Sequence, residues 1–398
     1  MNRRSFFRAA VGLGWTTLAS LLLRACQKAL PATVEPTVAA IGRSTAAATA
    51  TASSTIVPPP TATAPAAAQT IDPATAAPTV ARPGPTTTVM PTAIKRSPMT
   101  QIAFVKTQDR ATGVRRAMDL LHSQPLSGKT VFLKPNFNSA DPTPGSTHID
   151  VVRTIVQALR SRGAGRITVG DRSGMGDTRA VMQQLGIFRL AKELGFETVV
   201  FDELDVACWR SFQVDGGHWQ RGFAVARPVL DADAVVQTCC LKTHRYGGHF
   251  TLSLKNSVGL VAKTVPGEGY NYTSELHSSP DQRRMIAEIN SAYRPDLILL
   301  DGITALVDGG PDTGTKVNSQ VILAGTDRVA IDAVGVAILR YFGTTPAVSQ
   351  GQIFQQEQIA RAVELGLGVD GPDKIELITD DRDSATYAEE IRQVLLRG

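Results

Sequence analysis

Cysteine is scarce in this chain: four residues in 398, none of them in a C-x-x-C spacing. So few argue against a disulfide framework as the source of stability. No cysteine-ligated iron–sulfur cluster or structural zinc site is expected either. Cys239 and Cys240 are adjacent and poorly placed to bridge each other, which leaves a link from one of them to Cys208, or buried free thiols. Long apolar runs are missing as well. The uncharged stretch at 9–23 is shorter than the roughly 20 residues that span a bilayer. Basic charge is absent where a nucleic-acid surface would need it. The formal charge is +5, but residues 1–25 hold Arg3, Arg4, Arg8 and Arg24 with no acid. Residues 27–97 hold five basic residues against two acids, so the remainder is near −2. No nucleic-acid partner is expected.

What is present begins at the N-terminus. Asn2-Arg3-Arg4-Ser5-Phe6-Phe7-Arg8 pairs two arginines ahead of bulky apolar residues, and an uncharged stretch rich in Leu, Ala and Gly follows. This is the anatomy of an export signal, and the arginine pair directs it to the twin-arginine translocation machinery. Leu23-Arg24-Ala25-Cys26 resembles a bacterial lipobox, which would make Cys26 the lipidated first residue and tie the protein to a membrane through its N-terminus. Arg24 departs from that pattern, and cleavage nearby without lipid is the alternative. Either way the expected location is extracytoplasmic: membrane-anchored, periplasmic or at the cell surface.

Residues 31–98 are almost entirely Ala, Thr, Pro, Ser and Val. Such a segment buries too little apolar surface to offset the entropy of ordering, and reads as a disordered, extended stalk open to glycosylation. From residue 100 the composition is globular. The chain divides into a signal at 1–26, a linker at 27–98, a domain at 99–381 and a C-terminal helix at 382–398. Strands are predicted at 102–105, 130–134, 166–170, 198–201, 234–238, 297–300, 321–324 and 375–378. Helices are predicted at 114–121, 149–161, 178–185, 188–194, 281–292, 328–341 and 355–365. That alternation indicates an α/β fold, a mostly parallel sheet flanked by helices in one large or two closely joined lobes. Residues 209–225, with Asp215-Gly216-Gly217 in the middle, read as a hairpin insertion.

Polar residues follow the strands. Lys134-Pro135-Asn136, Asp171-Arg172-Ser173, Lys242-Thr243-His244, Asp301-Gly302 and Gly325-Thr326-Asp327 each come directly or shortly after an apolar run. Gly310 and Gly314 lie in the glycine-rich stretch beyond Asp308. Ligands of open α/β sheets bind outside the carboxyl ends of strands, so these turns are expected to share a pocket. Asp327 reads instead as a helix cap. Residues 242–259 are the densest in chemistry. Lys242 and Lys255 suit a carboxylate or phosphate, and His244 suits an acid/base or a metal ligand. His277 falls in a polar stretch that reads as a loop, where a solvent-exposed histidine is the plain reading.

At these residues the chain resembles the domain-of-unknown-function 362 family. The resemblance rests on Lys134-Pro135-Asn136, Ala232-Asp233, Lys242-Thr243-His244, Thr251, Lys255-Asn256, Gly259, His277, Asp301-Gly302, Gly310-Pro311 with Gly314, Ala324-Gly325, Asp327 and Asp332. The family name implies no activity. The order Ala-Asp, strand, His, Gly-Gly, Lys, Gly and a later His is also similar, more distantly, to the nickel-pincer lactate racemase family. That likeness implies proton transfer or metal ligation by His244 and His277 and a cofactor contact by Lys255. The proline-glycine after that family's lysine is replaced here by Asn256-Ser257.

The expectation is thus a protein that binds or transforms a small anionic molecule. Lys134, Asn136, Asp171, Lys242, Lys255, Asn256, Gly310 and Gly314 would hold the ligand, with His244, His277 and Asp301 in the chemistry. A non-catalytic cell-surface ligand-binding lipoprotein is the alternative. A third reading is a metal- or nickel-pincer-dependent racemase or epimerase with a metal ion on His244, His277 and Asp301, joined by Asp171; no other cofactor is named. Mass spectrometry of protein taken from the exporting cell checks the signal. A mature chain starting at Cys26 and carrying lipid is expected, and an unprocessed N-terminus would contradict it.

Overall fold

Runs such as Val131-Phe132-Leu133 place apolar side chains on consecutive residues, so such strands are stable only when both faces are covered. The computed structural model describes residues 88–90, 99–121 and 126–398. Arg3, Arg4, Cys26, His122 and the linker at 27–98, apart from Thr88–Met90, lie outside the described residues.

Thirteen strands are described: β1 (Thr88–Met90), β2 (Thr100–Lys106), β3 (Val131–Lys134), β4 (Ile167–Asp171), β5 (Glu197–Val200), β6 (Trp209–Val214) and β7 (Phe223–Ala226), then β8 (Ala234–His244), β9 (His249–Thr251), β10 (Leu297–Leu306), β11 (Lys316–Val317), β12 (Val321–Gly325) and β13 (Ile375–Ile378). Ten form one sheet in the order β13-β2-β12-β10-β8-β3-β4-β5, with β9 added to β8 and β11 to β10. Along that order β12 alone runs against its neighbours, and every other step is parallel. The α/β architecture with a mostly parallel, helix-flanked sheet is as expected.

Side chains of a strand alternate between faces, and two cores result. Ile102, Phe104, Phe132, Val235, Leu241, Ile298 and Leu300 point to one. Ala103, Val105, Val131, Leu133, Val169, Val236 and Leu299 point to the other. The first face is covered chiefly by helices Gln282–Ile289, Arg328–Tyr341 and Arg382–Arg397. The second is covered by helices Arg110–Leu120, Ile149–Ser161, Thr178–Gln184 and Ile187–Leu194. The hairpin expected at 209–225 is the antiparallel pair β6–β7, which forms a second small sheet with β1. Cys239 and Cys240 are buried free thiols, so neither bridges Cys208. No helix among the described residues is long and apolar enough to cross a membrane.

Three local expectations change. Because β12 is reversed, Gly325-Thr326-Asp327 leaves the sheet at the edge opposite Lys134 and Asp171. Asp327 does cap the following helix, accepting N–H bonds from Val329 and Ala330 at 2.9 Å each. β8 and β10 run on past 238 and 300, because pairing with β9 and β11 extends them. Lys242, His244 and Asp301 therefore belong to strands rather than to turns. His277 belongs to a helix, Tyr272–Ser278, not to a loop.

Candidate functional site

β3, β4 and β8 are neighbours and parallel, so their carboxyl ends open on the same side. Each delivers a polar residue there. Lys134 ends β3, Asp171 ends β4, and their side chains form a buried ion pair at 2.8 Å. Lys134 Nζ also donates to the Pro135 carbonyl at 2.6 Å and to Asn256 Oδ1 at 3.1 Å. Asp171 accepts the N–H of Phe137 and of Arg172 at 2.7 Å each. Burial pushes the carboxyl up and the ammonium down, and each charge opposes the shift of the other. A Cβ on Gly259 would stand 2.4 Å from Asp171 Oδ1 and 2.8 Å from Lys134 Nζ, so this approach needs glycine.

Asn256 extends the same cluster. Its Nδ2 donates to the Thr238 carbonyl of β8 at 3.0 Å, which fixes the short helix Ser253–Asn256 over the strand ends. Beneath that helix the Asp332 carboxylate accepts the Ser253 N–H at 2.7 Å and the Leu254 N–H at 3.3 Å. Its burial raises its pKa to about 8. The helix thereby presents Lys255 to a cavity of about 500 Å³.

Lys134, Asn136, Asp171, His244, Lys255, Asn256 and His277 all line this cavity, so seven of the residues singled out in the sequence come together. Lys242, Asp301, Gly310 and Gly314 do not line it. Lys242 Nζ is buried behind the wall and donates to the carbonyls of Gly145 at 2.5 Å and Pro311 at 3.1 Å, tying two loops to β8. Asp301 is held by Arg110 Nε at 2.7 Å. Gly310 and Gly314 shape the loop carrying Pro311, which does reach the cavity. Among the described residues no group of three or more His, Cys, Asp or Glu side chains is placed to hold a metal ion, so Asp171, His244, His277 and Asp301 are not assembled into a ligand set.

The polar groups facing the cavity are poorly satisfied. Asn136 Oδ1, Asn138 Nδ2, His244 Nδ1 and Thr251 Oγ1 are buried without a hydrogen-bond partner among the described residues. Buried polar atoms are almost always paired, so four orphans on residues that line one cavity set this region apart. The amine of Lys255, a residue only 7% exposed, has no hydrogen bond or ion pair among the described residues. Burial lowers its pKa to about 7, aided by the positive charges of Lys242 and Arg172. Burial and the cations Lys255 and Lys242 hold the His244 imidazole well below its ordinary range. His277, open to solvent on its outer side, is pushed down to about 4 by the cavity wall and by Lys255 and Arg172. Its Nδ1 meets Gln282 Nε2 at 2.9 Å. Both imidazoles are therefore held neutral at pH 7.

Arg172, Asn138 and Thr251 are site residues that sequence reasoning left unassigned. Arg172 is buried, and its guanidinium donates to the carbonyls of Val261 at 2.9 Å and Val258 at 2.7 Å, with no ion pair among the described residues. Its adjacency to Asp171 and the two-residue step from Asn136 to Asn138 were the available signals. The cavity wall thus carries three buried cations, Lys134, Arg172 and Lys255, against one carboxylate, Asp171.

Residues 131–337 match the family described as "Domain of unknown function (DUF362)", and the chain belongs to that family. It is 28% identical over 219 residues to the Thylakoid-associated protein sll1697 of Synechocystis sp.. That alignment covers 54% of this chain and 64% of the cyanobacterial protein, so less than two thirds of that relative is spanned. Among solved structures, the lactate racemase apoprotein from Thermoanaerobacterium thermosaccharolyticum is similar at 12% identity with a TM-score of 0.36, covering 74% of this chain and 86% of that one. So weak a likeness carries no argument about chemistry.

The two lysines have opposite energetic roles. Lys134→Met leaves Asp171 buried and uncompensated and lowers stability by about 3 kcal/mol or more. Lys255→Met removes a buried amine that has no counter-charge, and raises stability at pH 7 by at least about 1 kcal/mol. The folded-state pKa of Lys255 is depressed, so the native state gives up that proton before the unfolded chain does. Parent stability therefore rises with pH above about 7, and the gain from Lys255→Met narrows toward alkaline pH. Chemical denaturation at two pH values checks both signs, and a destabilised Lys255→Met protein contradicts them.

Proposed function

We propose that this protein holds a small anionic molecule, a carboxylate or phosphate, in the cavity at the carboxyl ends of β3, β4 and β8. The observation that carries the reading is Lys255, a buried amine with no counter-charge among the described residues, facing a cavity wall with more cations than carboxylates. A buried charge without a partner is unfavourable, and an anionic ligand supplies the partner. Asn136, Asn138 and Thr251 offer the hydrogen bonds that orient it. Lys134, formerly a candidate for direct contact, acts in this reading as the brace that positions Asn256 and the Lys255 helix.

Two neutral imidazoles on the same cavity favour transformation of the ligand over simple capture, with His244 as acid/base. Asp301 has no place in this step, being held by Arg110 away from the cavity. We place the site outside the cytoplasm, after twin-arginine export and on a stalk tethered through Cys26. That location also suits a ligand-binding lipoprotein, the reading that remains if no turnover accompanies binding.

Calorimetric titration with acetate and inorganic phosphate tests the site. Binding to the parent is expected to weaken as pH rises through about 7, where Lys255 loses its proton. Lys255→Met should lower affinity roughly tenfold or more, the scale of one charge-assisted hydrogen bond. Unchanged affinity in that variant at all pH values sinks the proposal.

A further inference from the structure

The amine that would attract an anion has the surroundings of a nucleophile. Lys255 projects into the cavity from a helix anchored at both ends, by Asp332 below and by Asn256 on the Thr238 carbonyl. Asp171, the carboxylate on the cavity wall, is already engaged by Lys134 and by two backbone N–H groups. The charged groups that depress Lys255 are Lys242 and Arg172, both cationic. His244 is close by: a Cβ built on Gly248 would stand 2.4 Å from Lys255 Cε and 3.1 Å from His244 Nδ1. The lysine stem and the unpartnered imidazole nitrogen therefore both pack against Gly248.

We propose that Lys255 forms an imine with a small anion that bears an aldehyde or ketone, with His244 Nδ1 as the proton carrier. The inference rests on the anion site described above and names its substrate class. The amine lone pair attacks the carbonyl carbon, and the carbon–oxygen π pair moves to oxygen. His244 takes a proton from nitrogen and returns it to oxygen, giving a carbinolamine. The carbon–oxygen bond then breaks as the carbon–nitrogen double bond forms. Both amine protons leave on the oxygen as water, so an amine and a carbonyl become an imine and water with no change of oxidation state.

Three features suit the step. A lysine desolvated beside other cations is neutral, and hence nucleophilic, at a pH where ordinary lysines are not, and Lys255 falls at about 7. Burial and the nearby cations keep the His244 imidazole neutral, so it relays a proton between nitrogen and oxygen rather than holding one. Arg172 lies on the same cavity wall with its guanidinium on two carbonyls and in the field of Asp202 and Asp171, and it gives the ligand's own anionic group a positive charge apart from the reacting amine.

The test uses the full chain with glyoxylate or pyruvate and borohydride, which reduces an imine to a stable amine. Intact mass and peptide mapping then locate the adduct. At neutral pH the adduct is expected on Lys255 in roughly tenfold excess over any other lysine, because few ordinary amines are unprotonated there. Lys255→Arg keeps the charge and should abolish that adduct, and His244→Gln should slow its formation with the site unchanged. Parallel calorimetry with acetate separates the two ideas. Acetate binding without an adduct on Lys255 overturns the imine and leaves the anion site standing. An adduct on Lys255 without acetate binding supports the imine and removes the plain anion reading. Adducts spread evenly over surface lysines, or none together with no acetate binding, overturn the imine.

Discussion

The ion pair between Lys134 and Asp171 is the constraint on which the site depends. Two neighbouring parallel strands end in opposite charges, and both are buried beneath the segment that follows β9. Neither charge tolerates the loss of the other. Because Lys134 also holds Asn256, and Asn256 holds the Thr238 carbonyl, one cluster fixes β3, β4, β8 and the short helix together. Asp332 completes the support from the helix Arg328–Tyr341 below. The cavity is therefore built on the rigid sheet rather than on a free loop, as positioning a small ligand requires.

Within that frame Lys255 stands out for what it lacks. The other buried lysines facing this end of the sheet are satisfied: Lys134 by a carboxylate and two oxygens, Lys242 by two carbonyls. Lys255 has neither, and its neighbours are cations. Stability alone would favour an apolar side chain there. A destabilising group beside a cavity whose lining residues carry four unpaired polar atoms is what the proposed anion site would explain.

Much of this was legible in the sequence. The apolar run at 131–133 and the β-branched run at 167–169, alternating with helical patterns, are what a buried parallel sheet demands, and the strands and principal helices fall where those patterns place them. Lys134 and Asp171 were readable as strand-end charges, though not as partners of each other, because pairing depends on strand order. Pattern could not reveal the reversal of β12, since an apolar strand reads the same in either direction. Asp301 was misplaced for a related reason: β10 continues through Asp301-Gly302, which look like a turn until β8 and β12 are seen to pair alongside. Arg172 was read only as part of a strand-end turn and given no role, because an arginine in a turn is usually a solvated surface group. Its burial comes from the carbonyls of Val258 and Val261, almost ninety residues away.

Proton uptake on anion binding tests the central claim most directly. If Lys255 is the group that meets the anion, binding at about pH 8 must protonate it, taking up on the order of one proton per ligand. Calorimetry of acetate binding in buffers of different ionisation enthalpy reads that number. The account predicts uptake in the parent protein and its loss in Lys255→Met. Acetate bound at that pH with no proton taken up would contradict it.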